Sequence, residues 1–215
     1  MNITSIDFSL NSTGICIYDK ENNDIKLYSI VNTNSFLGKK ENVLSNFKIH
    51  KELEDLNYVT FIKNIRNSQN EDYTLDQKNK LSDAINIANL ILNIIPKDSL
   101  IVMEGFSYSS NSRSFIDLIL FASIVRAKLY ENFNNITIYA PSEIKRNLTG
   151  KGTANKPDMI NGILKCNELF IINSNFISYC RENKETLIDK KDVKKPVEDL
   201  IDSISILKCF LDKHS

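Results

Sequence analysis

Four acidic residues stand where ordinary folding preferences do not put them. Asp7 ends the run Ile3-Thr4-Ser5-Ile6, which reads as a strand entering a buried sheet. Aspartate is a poor strand former, and a buried ionised carboxylate is costly unless a cation or donor compensates it. Glu104 closes a second run, Leu100-Ile101-Val102-Met103, whose continuous apolar character is that of a strand covered on both faces. Asp199 and Asp202 lie three residues apart in a stretch whose apolar stripe is Leu200, Ile201, Ile204, Leu207 and Phe210, so both project on one helix face. Each has a bland explanation when taken alone. Asp7 can cap the turn that follows it, Glu198 and Asp199 can sit favourably at a helix N-terminus, and Asp202 can face solvent. Taken together, the four are the parts of a carboxylate cage. Hard oxygen ligands suit Mg2+ or Mn2+, and two ions about 3.5–4 Å apart can activate a water and stabilise the leaving oxygen of a phosphodiester.

The elements that must position these residues follow from periodicity and punctuation. Two β-branched runs flank the polar turn before Gly14 and predict an opening hairpin, with residues 25–31 alternating as a third antiparallel strand. Residues 32–73 are mixed and rich in Asn and Lys, with one strand expected at 58–62, and read as an elaboration at the sheet edge. Lys39, Lys40, Lys48 and Lys51 there fit a solvated face. Leu81, Ile85, Ala88, Leu92 and Ile95 predict a helix over 75–95, capped by Thr74 and stopped by Pro96. The polar segment 106–113 leads into a helix running to about Asn132, residues 136–139 make a strand, and Pro141 opens a helix that runs out at Thr149-Gly150. A further helix starts near Lys156, residues 167–195 are helix and loop, and the last helix spans 197–211. Strands alternating with helices after a hairpin predict an α/β layer structure on a mixed sheet.

With 215 residues, 42% hydrophobic and 25% charged, the chain reads as one soluble domain, 1–215, able to bury a core without staples. Lys+Arg and Asp+Glu balance at 27 each, so a polyanion must be held by local basic patches. Cys16, Cys166, Cys180 and Cys209 form no CxxC pair, and His50 and His214 cannot complete a zinc site with them; a reducing, cytosolic setting is expected, and Cys16 and Cys209 read as core residues. No secretion signal or membrane span is apparent, since Asp117, Arg126 and Lys128 break the most apolar stretch. One patch suits a phosphate backbone: Lys145, Arg146, Lys151 and Lys156 cluster around Gly150 and Gly152, although a solvated helix end stopped by glycine explains the same residues. A second basic group, Lys184, Lys190, Lys191, Lys194 and Lys195, either widens such a track or is a charged loop. Phe106 and Tyr108 follow Glu104 and can stack on an unpaired base, with burial the alternative for Phe106; Arg113 is a further candidate phosphate contact.

The chain resembles the Holliday junction resolvases of the RuvC type, within the ribonuclease H/integrase superfamily, and among these the divergent phage and viral members. Ser5-Ile6-Asp7-Phe8-Ser9-Leu10-Asn11-Ser12-Thr13-Gly14 matches the family's first strand, and Val102-Met103-Glu104-Gly105-Phe106 its fourth. Asp199-Leu200-Ile201-Asp202-Ser203 matches its closing Asp-x-x-Asp-Ala helix, with Ser203 in place of Ala. Residues 144–156, from Ile144-Lys145 through Gly150-Lys151-Gly152 to Lys156, are similar to its two-lysine segment, while 32–73 have no counterpart. The resemblance implies a ribonuclease H-like mixed β-sheet flanked by helices. It also implies a magnesium-dependent endonuclease with two ions per site held by Asp7, Glu104, Asp199 and Asp202, and with Lys145 and Lys156 serving DNA binding and catalysis. The implied substrate is a four-way DNA junction cut by paired nicks, and the implied assembly is a homodimer, for which the helix from Arg113 offers a wide apolar face.

Three alternatives remain at this level. Within the enzyme class, activity can extend to flaps and forks, because fold does not fix substrate. A resolvase-like module can bind branched DNA without cutting, although a decayed site should have lost a carboxylate. An ASKHA-type kinase or ATPase would need a second copy of the domain, for which this length leaves no room.

Overall fold

The structure is a computed structural model that describes residues 2–32, 41–64, 72–106, 113–189 and 192–214. β1 (Asn2–Asp7), β2 (Ser12–Asp19) and β3 (Asp24–Asn32) form the antiparallel meander expected from their alternation, with Asp7 directly opposite Gly14. α1 (Glu41–Asp55) then leads to β4 (Thr60–Asn64), which pairs parallel to β3 two residues later than the strand expected at 58–62. The helix in 41–55 was not legible, because its polar sequence has no clean apolar stripe; Lys48 and Lys51 on it are exposed, while Lys39 and Lys40 lie outside the described residues.

α2 (Tyr73–Ile94) takes its N-cap from Asp72 and not Thr74: the Asp72 carboxylate accepts from the Leu75 amide at 2.9 Å, two residues earlier than the threonine. β5 (Leu100–Glu104) lies parallel to β1, α3 (Arg113–Asn132) packs on α2, and β6 (Ile136–Tyr139) lies parallel to β5. α4 (Pro141–Thr149) ends at Gly150, whose φ of 77° is the left-handed conformation that stops helices. α5 (Lys156–Leu164) opens on a capping box between Asn155 and Asp158. The segment that follows resolves into α6 (Leu169–Ile172), α7 (Asn175–Glu182), α8 (Lys184–Leu187) and a two-stranded hairpin of β7 (Ile188–Asp189) and β8 (Asp192–Val193). α9 (Val197–His214) closes the described fold and runs three residues past the end expected from sequence.

The six main strands lie in the order β4-β3-β2-β1-β5-β6. Side chains alternate across this sheet and feed two cores. Ile6, Ile15, Ile101 and Met103 pack beneath α2 and α3 with Ile87, Ile91, Phe121 and Val125. Ile3, Cys16, Tyr18 and Val102 face α9 and the helices around it, meeting Leu200, Ile201, Ile204 and Leu207. By the same parity Asp7, Gly14 and Glu104 belong to the α9 side. All four cysteines are free thiols, and Cys16, Cys180 and Cys209 are buried as core residues. Among the described residues no helix is long and apolar enough to cross a membrane.

Candidate active site

The sheet brings two of the four carboxylates together by register. Ile6 pairs with Met103 across the parallel β1–β5 ladder, so Asp7 and Glu104 end neighbouring strands. The other two arrive on α9, and Gly14 sets how closely. A Cβ built on Gly14 would lie 2.2 Å from the Asp199 carbonyl oxygen, so only glycine lets the α9 backbone rest on β2 at that point. Because Gly14 is opposite Asp7, this contact delivers Asp199 to the same end of the sheet. About one turn further on, the helix is held down at a small residue: the Ser5 hydroxyl donates to the Ser203 carbonyl at 2.7 Å, and Ser203 is fully buried. A side chain longer than Ser or Ala at that position would lift α9 off β1.

The result is crowding of like charge. Burial pushes the Asp7 carboxyl well above its ordinary value, and Asp202, Asp199 and Glu104 each push it further. Burial raises Glu104 to about 7, assisted by Asp202 and opposed by Lys156 and Lys145. Asp199, 2% exposed, is raised by burial to about 6 against the pull of Lys195, and Asp202 is raised by burial against Lys156. The mutual influence means that the four expected carboxylates share one electrostatic site; Asp199 does lie in the first turn of α9, as the bland explanation had it, while Asp202 is not the solvent-facing group that explanation required.

Two lysines enter this site. Lys156 at the start of α5 bonds Asp202 at 3.1 Å and pairs with Glu198. Burial opposes its charge, yet Asp202 and Glu198 outweigh that and raise its pKa. Lys195 bonds the Asp199 Oδ1 at 2.9 Å, and is held charged against burial by Asp199, Glu198 and Asp7. Its spacing from Asp199, four residues along a helix start, was visible in the sequence, where it read only as part of a basic cluster. Lys145, half-buried on α4, lies near enough to lower both Glu104 and Asp202. Among the described residues no three His, Cys, Asp or Glu side chains stand in an arrangement that holds a metal as they are. Asp202 and Asp199 instead direct oxygens at the two ammonium groups. The Asp199 Oδ2 is buried without a hydrogen-bond partner, the four carboxylates offer only oxygen donors, and both features fit a hard divalent cation.

The remaining sequence candidates are placed less centrally. Phe106 is half-buried and lines a cavity of about 130 Å³ with Asp7, Phe8 and Glu104. Arg146 and Lys151 are exposed, and Lys151 borders an open groove of about 420 Å³ with Lys165 and Lys184. Tyr108, Lys190 and Lys191 lie outside the described residues, as does the side chain of Arg113. Arg126 was read only as a break in an apolar stretch; it lines the cavity beside Glu104, a contact across 22 residues that no local pattern signals.

A mixed sheet ordered β4-β3-β2-β1-β5-β6, with helices on both faces and carboxylates at the ends of its central strands, defines the ribonuclease H-like class. Residues 54–170, just over half of the chain, match the family model described as crossover junction endodeoxyribonuclease RuvC, and the chain belongs to that family. The match includes Glu104, Lys145 and Lys156 and part of the segment read as an elaboration, while Asp7, Asp199 and Asp202 fall outside it. The yeast mitochondrial Holliday junction resolvase Ydc2 has the same fold, with a TM-score of 0.53 at 13% identity over 97% of this chain and 77% of that one. Thermus thermophilus RuvC aligns with a TM-score of 0.47 at 11% identity over 100% of this chain and 97% of its own. The same enzyme solved with a Holliday junction substrate gives the same score and identity, covering 94% of that chain. No curated protein matches the sequence.

Proposed function

We propose that the chain is a divalent-metal-dependent endonuclease that resolves four-way DNA junctions by hydrolysing one phosphodiester in each of two strands. The observation that carries this reading is the convergence of Asp7, Glu104, Asp199 and Asp202, from two strands and a distant helix, where Asp202, Asp199 and Glu104 each raise the cost of ionising Asp7. Family membership supplies the substrate class.

In this reading the four carboxylates hold Mg2+ or Mn2+, two ions per site. Bound ions of this kind supply an activated water and a stabilised leaving oxygen. Asp7 and Glu104, fixed at strand ends, set the rigid half of the cage. Asp199 and Asp202, three apart on α9, set the other half. Lys156 contributes a charge already directed at Asp202, and with Lys145 it neutralises the phosphate flanking the cut. Lys151, Lys165 and Lys184 along the open groove, together with Arg146, carry the duplex arm away from the site. Tyr108 and Arg113 join Phe106 at the branch point. Two symmetry-related nicks call for a homodimer, and α3 keeps Ile116 at 68% and Tyr130 at 61% exposure, apolar side chains suited to a second copy.

A cleavage assay with Mg2+ that compares a synthetic four-way junction with flap, fork and linear duplex tests the proposal. The junction is expected to be cut at symmetric positions and the linear duplex left intact. Equal cutting of flap and fork would broaden the substrate class. Tight junction binding without nicking in Mg2+ or Mn2+ would instead make the chain a binding module.

A further inference from the structure

We infer that Arg126 is a positioning residue that fixes the Glu104 carboxylate and the Phe106 ring as one unit, so that the metal cage and the branch-point contact are set together. The inference rests on the nuclease reading above. Arg126 belongs to α3, on the side of the sheet opposite α9, and reaches round the sheet end. Its Nη2 donates to the Glu104 carbonyl at 2.8 Å, and its guanidinium carbon lies 3.9 Å from the centroid of the Phe106 ring. Both targets border the cavity of about 130 Å³ that also touches Asp7.

Packing alone does not account for this residue. Val125 and Leu129, its neighbours on α3, are buried core residues, and an aliphatic side chain in place of Arg126 would fill space without desolvating a charge. The chain instead partly buries a guanidinium and leaves its Nε without an acceptor. An unsatisfied buried donor is destabilising, and such departures from local rules concentrate at functional sites. A planar guanidinium can donate in its own plane while its face covers an aromatic ring. That combination ties a strand-end carbonyl to a ring two residues later. A lysine ammonium, a point charge without a face, cannot hold both in this geometry.

The test uses the full chain and the variants Arg126→Met and Arg126→Lys. Junction affinity is measured by fluorescence anisotropy, base unstacking by 2-aminopurine at the branch point in EDTA, and the single-turnover rate across a Mg2+ titration. Both variants are expected to bind junction within about twofold of the parent, to lose most of the 2-aminopurine enhancement, and to need more Mg2+ for half-maximal rate. At low Mg2+ the rate should fall on the order of 100-fold, the scale of a misplaced reacting group. A purely structural arginine would lower thermal stability while leaving the fluorescence and the Mg2+ midpoint unchanged in Arg126→Lys, and that result overturns the inference. Should Arg126→Met fail to fold, the lysine variant decides. The EDTA fluorescence judges Arg126 separately from the nuclease reading, which fails if Asp7→Asn still cuts.

Discussion

On the α2–α3 side of the sheet, Lys80 bonds Asp76 at 3.2 Å and Asp117 at 3.0 Å; on the α9 side, Lys156 and Lys195 face Glu198, Asp199 and Asp202 with Asp7 and Glu104 beside them. Both clusters join separate elements. They differ in what burial does to the acids. In the first, Lys80 bridges two carboxylates, and hydrogen bonds to Asp117 and Asp76 hold it charged against burial, tying α3 to α2. In the second, three lysines, Lys145, Lys156 and Lys195, meet five acids, and burial with mutual repulsion still raises Asp7, Glu104, Asp199 and Asp202. A cluster whose buried acids are driven toward the protonated form is poised for a cation from outside.

The largest effect expected from this contrast is on catalysis. Asp7→Asn should lower junction cleavage by about 10²–10³-fold or more, measured in single turnover, while junction binding persists and the metal-free protein melts higher at pH 8 because one repelling charge is gone. A lower melting point for that variant would erase the distinction between the clusters. Gly14→Ala should be the most destabilising single change at the site, about 3 kcal/mol, because the new methyl group meets the Asp199 carbonyl oxygen at 2.2 Å and must displace α9. Denaturant unfolding reads the loss, and cleavage should fall with it.

Lys80→Met should cost about 2 kcal/mol in the same unfolding experiment, and leave the cleavage rate of the folded fraction unchanged. A loss of rate there would make the α2–α3 cluster part of the active site. The last effect concerns pH. Glu104 goes from an ordinary 4.5 to about 7 and Asp199 from 3.8 to about 6, so between those values the folded chain keeps protons that the unfolded chain has released. Stability of the metal-free protein therefore falls as pH rises through that window, read as a falling Tm in EDTA. Added Mg2+ should restore it at the alkaline end, and a melting point that rises with pH in EDTA would contradict the raised acids described.

The α9 face was the more legible of the two in the sequence. Asp7 and Asp202 broke local patterns, and Glu104 closed a buried apolar run. The Asp-x-x-Asp spacing and the Gly14 turn carried the family resemblance. What stayed hidden depends on contacts between elements. α1 has too few apolar residues for its period to register, and the Asp72 cap competes with an equally plausible Thr74 two residues later. Lys195 looked like one of five basic residues until the α9 start placed it against Asp199. Arg126 gave no signal, because its partners lie about six helical turns back along the chain and around the end of a sheet.

The seating of α9 on Gly14 also has a consequence for biosynthesis. Half of the carboxylates belong to a helix that follows every strand of the sheet, and they reach Asp7 only when its backbone settles against a glycine of the opening hairpin. If those carboxylates hold the metal as proposed, a chain whose six strands are paired before α9 docks would not yet cut DNA. A hairpin slipped by one residue, which turns Asp7 toward α2 and α3, would likewise lack a complete cage even with the helix in place. Under that proposal, hydrolytic competence depends on strands that have found their correct partners.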